Sequence, residues 1–196
     1  MSKKPFFISI IFTILLASGV LLFATYGNGP APLGTPENKP ETGGNAQHGP
    51  GLPARLIIGS IGVDASIIHV ALDAKGNVDA PTTPHEVAWF QLGPRPGTQG
   101  SAVITGHYGP WQSGANSVFD NLRNLKTGSR IDVEDDRGAV RSFVVTGSRT
   151  YSPDESAEEV FNKDDGVYLN LITCSGDWLG DQKTYTERLV IFAKAI

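Results

Sequence analysis

Cys174 closes the apolar run Leu171-Ile172-Thr173, just before Ser175-Gly176, and is the one cysteine of the chain. A thiol at the end of a buried strand stands where the backbone leaves the core, and so can face a cleft. There it can attack a carbonyl if a proton carrier and an oxyanion donor stand near it. His107 has a matching position, directly after the apolar run Ala102-Val103-Ile104-Thr105 and Gly106, a residue that lets the backbone turn sharply. Of the other histidines, His48 lies in a Gly/Pro stretch, His69 within a strand pattern and His85 in a Pro/Thr loop. Arg188 opens a third apolar run, Leu189-Val190-Ile191. Its five permanent donors suit a carbonyl oxygen or a peptide backbone. In this division Cys174 is the nucleophile and Arg188 holds the oxyanion. His107 protonates a leaving amine and later deprotonates an incoming nucleophile. Thr173 precedes the thiol in its apolar run.

Each of these residues also has a plainer reading. A lone cysteine is commonly a small buried apolar side chain. A loop histidine is commonly a surface residue. Arg188 can form a rim salt bridge with Glu187 or another carboxylate, and Thr173 can be an ordinary β-branched strand residue. The three groups carry more information together than singly.

The elements that must position them are mostly strands. Short apolar or alternating runs cover 55–61, 66–72, 102–105, 130–134, 140–147, 167–173 and 188–193. Gly62, Lys75-Gly76-Asn77, Gly93-Pro94, Gly128 and Arg137-Gly138 separate them as turns. Two stretches read as helices. Residues 117–125 put Val118, Leu122 and Leu125 on one stripe with Phe119 beside it. Residues 153–161 start with Ser152 as cap and Pro153 at the first helical position, then acids in the first turn. No strands alternate with long helices, so the pattern favours a mostly β, closed barrel with one or two short helices over a doubly wound sheet. The 175–185 stretch reads as a loop joining the cysteine strand to an antiparallel neighbour, which would bring Arg188 beside Cys174.

The 196 residues suffice for one domain with a real core. A net charge of −4 argues against nucleic-acid binding, and a single cysteine against a disulfide framework or a multi-thiolate zinc site. Residues 54–196, the folded domain, carry 13 Lys and Arg against 18 Asp and Glu. Ahead of it, residues 6–26 form an uncharged apolar run whose roughly 31 Å length as a helix spans a bilayer core. Lys3 and Lys4 favour a cytoplasmic N-terminus, with the rest of the chain outside the cell. The run is longer than a signal-peptide core of about 7–15 residues, so an uncleaved single-pass anchor in the cell membrane is expected. Outside the cell an unpaired thiol risks oxidation, so its presence asks for a reason. Residues 27–53 are about half Gly and Pro, a disordered tether with a reach of roughly 28 Å.

The domain resembles the sortases, membrane-anchored cysteine transpeptidases of bacterial surfaces. The matching pieces are Thr105-Gly106-His107 after a strand, Phe119-Asp120-Asn121-Leu122 with Gly128 beyond, Leu171-Ile172-Thr173-Cys174, and Arg188 in a terminal strand. Residues 55–73, Trp89-Phe90 and the run Gly93-Pro94-Arg95-Pro96-Gly97 look similar to the class F and related housekeeping-type branches. The resemblance implies an eight-stranded β-barrel. It also implies that a Leu-Pro-x-Thr-Gly-type sorting signal on a surface protein binds in a groove and is cleaved after Thr. The acyl group would pass to Cys174 as a thioester and then to an amine of a cell-wall precursor or a pilin lysine. It assigns Cys174 as nucleophile, His107 as acid and base, and Arg188 as transition-state stabiliser, with Thr173 contributing a hydroxyl or backbone contact to the substrate. No cofactor is implied, although some sortases bind calcium through acids near this region. Asp154, Glu155, Glu158, Glu159, Asp164 and Asp165 form such an oxygen-rich stretch, half explained by helix-start acids. In the tether, Lys39-Pro40-Glu41-Thr42-Gly43 matches a sorting signal lacking its leading Leu and reads as coincidence. The alternatives are a membrane-tethered cysteine hydrolase and a non-catalytic β-barrel binding module.

Overall fold

The computed structural model describes residues 49–111, 114–181 and 184–196. The expected anchor at 6–26 and most of the tether lie outside the described residues. Among the described residues no helix is long and apolar enough to cross a membrane. The fold takes in chain ahead of the expected boundary at 54. Gly51 N donates to Asp135 Oδ2 at 2.8 Å and Leu52 N to Asp136 Oδ1 at 3.0 Å, pinning the entry to the barrel.

Eight strands close into a barrel in the order β1-β2-β3-β4-β7-β8-β6-β5, with β5 returning to β1. They are β1 (Pro53–Ile58), β2 (Val63–Val70), β3 (Val87–Phe90), β4 (Gly100–Gly106), β5 (Arg130–Asp135), β6 (Val140–Tyr151), β7 (Val167–Leu179) and β8 (Thr184–Ala195). Alternation decides which side chains enter. Ala102, Ile104, Leu169 and Leu171 point into the main core, whereas Val103 joins a second, smaller cluster with Tyr151, Val160 and Val190. That outer cluster underlies the 152–161 segment, which includes a single helical turn, α1 (Glu158–Phe161).

Most sheet pairs are antiparallel, but β2–β3 and β4–β7 are parallel. A parallel pair needs a long crossover, here residues 71–86 and 107–166. The consequence for function is direct. Because β4 and β7 run side by side in one direction, both deliver their C-terminal ends to the same end of the barrel.

Four expectations need correction. β3 lies outside the expected strands because four residues between Pro- and Gly-containing loops are too short to show a period. The 117–125 stretch is a turn ending in a 3-10 helix, Leu122–Asn124, rather than an α-helix. The Asp120 carboxylate accepts from Gly109 N at 2.8 Å and Ser117 N at 3.0 Å, so its side chain organises a loop. Its apolar stripe still plugs the barrel, with Phe119 and Leu122 fully buried. The expected 153–161 helix shrinks to α1, whose N-cap is Ala157 with no side-chain cap, because Glu155 and Glu159 turn to Arg149. The expected 175–185 loop is largely strand, since β7 and β8 continue as a hairpin past a bulge between Ser175 and Trp178.

Candidate active site

The row of chemistry-bearing residues follows from register. Thr105 pairs with Ile172 at the end of the β4–β7 ladder, so His107 and Cys174 each lie two residues beyond that last pair. Cys174 in turn pairs directly with Arg188 of β8. Parallel and antiparallel ladders thus set three adjacent chains at one level, and His107, Thr173, Cys174 and Arg188 line one open cleft. Residues from the 72–81 and 152–161 stretches also line it.

Cys174 is half-buried. Burial pushes its thiol up, and the Arg188 charge only partly offsets this, so the net shift is upward. At neutral pH the resting sulfur therefore holds its proton, and nucleophilic attack requires a base.

His107 supplies a candidate. Its Nε2 lies 2.7 Å from Pro81 O, and a carbonyl only accepts, so Nε2 carries a hydrogen. That leaves Nδ1 as the nitrogen of the neutral ring able to take a proton. The Trp111 ring packs against the imidazole, with centroids 4.7 Å apart. Gly106 ahead of it does not adopt a left-handed conformation. Its role is space: a Cβ there would enter the ring of buried Phe119. Gly106→Ala should overpack this contact and cost about 1–3 kcal/mol, read as a lowered Tm.

Arg188 is anchored by its own strand start. Nη1 donates to Tyr185 O at 3.0 Å and Glu187 O at 2.8 Å, and Nη2 donates to Thr184 Oγ1 at 3.0 Å. These use three of the five guanidinium hydrogens, leaving Nε–H and one Nη2–H for a substrate. The salt bridge with Glu187 is replaced by a bond to the Glu187 carbonyl. Arg188 makes no ion pair among the described residues.

Thr173 is only 3% exposed, and its hydroxyl donates to Gly106 O at 2.8 Å. The side chain expected at the substrate thus ties the residue before Cys174 to the residue before His107. Thr173→Val removes this buried bond and should cost about 1–3 kcal/mol, with Thr173→Ser recovering most of it in thermal melts.

The acidic stretch does not fit calcium. Arg149 lies between Glu155 and Glu159, donating to both, and Asp165 accepts from the Tyr168 hydroxyl at 2.8 Å. Among the described residues no group of three or more His, Cys, Asp and Glu is arranged to hold a metal ion. Sequence reasoning missed Pro81, Trp111 and Arg149. Trp111, four residues after His107 in Gly109-Pro110-Trp111, was the one with a local signal.

The sortase-domain family model matches residues 56–196. Among curated proteins, none matches the chain. Sortase C-1 from Actinomyces oris is 25% identical over 73% of this chain and 73% of its own, with a TM-score of 0.58. Sortase A from Corynebacterium diphtheriae is 21% identical, with a TM-score of 0.59. The match covers 75% of this chain and 61% of the Corynebacterium one. A sortase D5 transpeptidase from Clostridium perfringens is 20% identical over 74% of this chain and 78% of its own, at a TM-score of 0.53. The last two likenesses concern the fold, and the three span sortase classes C, A and D. The chain belongs to the sortase family, a family of cysteine transpeptidases.

Proposed function

We propose that this chain cleaves a Leu-Pro-x-Thr-Gly-type sorting signal and transfers the surface protein bearing it to an amine. The single observation that carries the reading is the direct pairing of Cys174 with Arg188, one strand from the end of β4 where His107 follows. His107 Nδ1 takes the Cys174 proton as the sulfur attacks the Thr carbonyl carbon. The carbonyl oxygen becomes an oxyanion, met by the two free N–H groups of Arg188. Collapse breaks the Thr–Gly C–N bond, and His107 returns the proton to the departing Gly amine. The acyl group remains on sulfur as a thioester. An amine of a cell-wall precursor, or a pilin lysine, then attacks that carbonyl and gives its proton to His107. The new amide forms as the thiolate leaves and is reprotonated.

The apolar run at 6–26, with Lys3 and Lys4 before it, supports a single-pass anchor with the barrel outside the cell. Partners are then sorting-signal-bearing proteins and surface amines within the reach of the tether. The test is incubation of the chain with a Leu-Pro-x-Thr-Gly peptide and an amine acceptor, with products weighed. An aminolysis product is expected. Release of the free acid alone would make the protein a hydrolase, and an unreacted peptide would leave a binding module.

A further inference from the structure

The cleft wall at 152–161 has two kinds of fastening. Its second half is held by buried or part-buried bonds: Asn170 Nδ2 to Val160 O at 2.6 Å, and Ser101 Oγ to Lys163 O at 2.9 Å just beyond it. Its first half, Ser152 to Glu159, contains no regular structure before α1. Among the described residues, the side-chain polar contacts tying that half to the barrel converge on two residues of β6. Arg149 donates through Nη2 to Glu155 Oε1 at 2.5 Å and through Nη1 to Glu159 Oε1. Tyr151, 2% exposed, donates its hydroxyl to the same Glu159 oxygen, while the Arg149 guanidinium carbon stands 4.5 Å from the centre of the Tyr151 ring. Glu155 then reaches back to accept from Ser152 N at 3.2 Å.

We infer that Arg149 is a positioning residue that sets the wall of the substrate cleft, its fork spanning two carboxylates of a segment whose one other side-chain tie to the barrel among the described residues is the Tyr151 hydroxyl. This rests on the proposed peptide-transfer reading for its meaning, although the clamp itself does not. Burial and the Glu159 bond push the Tyr151 phenol up to about 12, so it stays a donor throughout the working range. The Tyr151 and Arg149 bonds hold the Glu159 carboxyl below its ordinary value, so it stays an acceptor. The pairs are solvent-exposed, so their contribution to global stability is small. What they fix is local: where Ser152, Pro153, Asp154 and Glu155 stand along the cleft they line.

The test uses the full chain with Arg149→Gln and Arg149→Lys. For Arg149→Gln, KM for the sorting peptide should rise about 10-fold with kcat within about twofold, because the wall supplies binding shared by ground and transition states. A glutamate-specific protease should cut the native variant within 152–159 faster than wild type. Arg149→Lys should recover part of both, since an ammonium reaches one carboxylate and not two. Arg130→Gln, which breaks an exposed pair on β5 away from the cleft, should do neither. Unchanged KM and unchanged protection in Arg149→Gln would overturn the inference. So would a Tm loss shared with Arg130→Gln that accounts for both effects. If wild type fails to cleave the peptide, the functional reading falls, and the protease comparison still decides whether Arg149 holds the wall.

Discussion

Cys174→Ala is expected to lose peptide cleavage and transfer by at least about 10⁴-fold while its Tm stays within the shift that about 1 kcal/mol produces. The size follows from the chemistry. No other thiol exists in the chain, and no neighbour in the row can form a thioester. The stability expectation follows from the site, because Cys174 is half-buried at the edge of the cleft and not part of the main core cluster. Circular dichroism with thermal melts checks the fold, and product mass checks activity. Retained activity in this variant would end the nucleophile assignment.

Arg188→Lys and Arg188→Gln are expected to separate charge from geometry. The fork makes three fixed bonds, to two backbone carbonyls and the Thr184 hydroxyl, and Arg188 lines the cleft with two donors unused by these bonds. An ammonium cannot hold that frame and stabilise an oxyanion at once. Arg188→Lys should lower kcat/KM by about 10²–10³, the cost of losing an oxyanion donor. Its charge survives, so alkylation of Cys174 by a small electrophile should change little. Arg188→Gln also removes the cation that holds the Cys174 thiol down against burial. The thiol then rises further above its ordinary range, less thiolate exists at any given pH, and the alkylation profile moves to higher pH. Equal alkylation profiles for the Lys and Gln variants would contradict the electrostatic coupling of Arg188 to the sulfur.

Much of the barrel was legible because a half-buried strand writes its period directly into sequence. The alternating runs of β1, β2, β5 and β6 and the continuous runs of β4 and β7 fall where expected. The neighbourhood of Cys174 and Arg188 was legible too, since a short connection between adjacent strands implies an antiparallel pair. That His107 lines the same cleft as Cys174 was not derivable from local pattern. It depends on a parallel register between strands separated by the whole 107–166 crossover, and no short-range signal encodes that. The two helices failed for a common reason. Asp120, Glu155 and Glu159 have good helix-start chemistry, but their carboxylates found tertiary donors instead. The same capture removed the apparent calcium site, because acidic density in sequence does not reveal a guanidinium arriving from β6. Gly106 is expected to serve a sharp turn, whereas in the structure its place is set by close packing against Phe119.

The most direct measurement is the intact mass of the chain after brief exposure to a Leu-Pro-x-Thr-Gly peptide without an acceptor amine. A single adduct of the Leu-Pro-x-Thr acyl fragment is expected, mapped to Cys174, released by hydroxylamine, and absent from Cys174→Ala. Peptide turnover with no adduct on Cys174, undiminished in Cys174→Ala, would contradict acyl transfer through this sulfur.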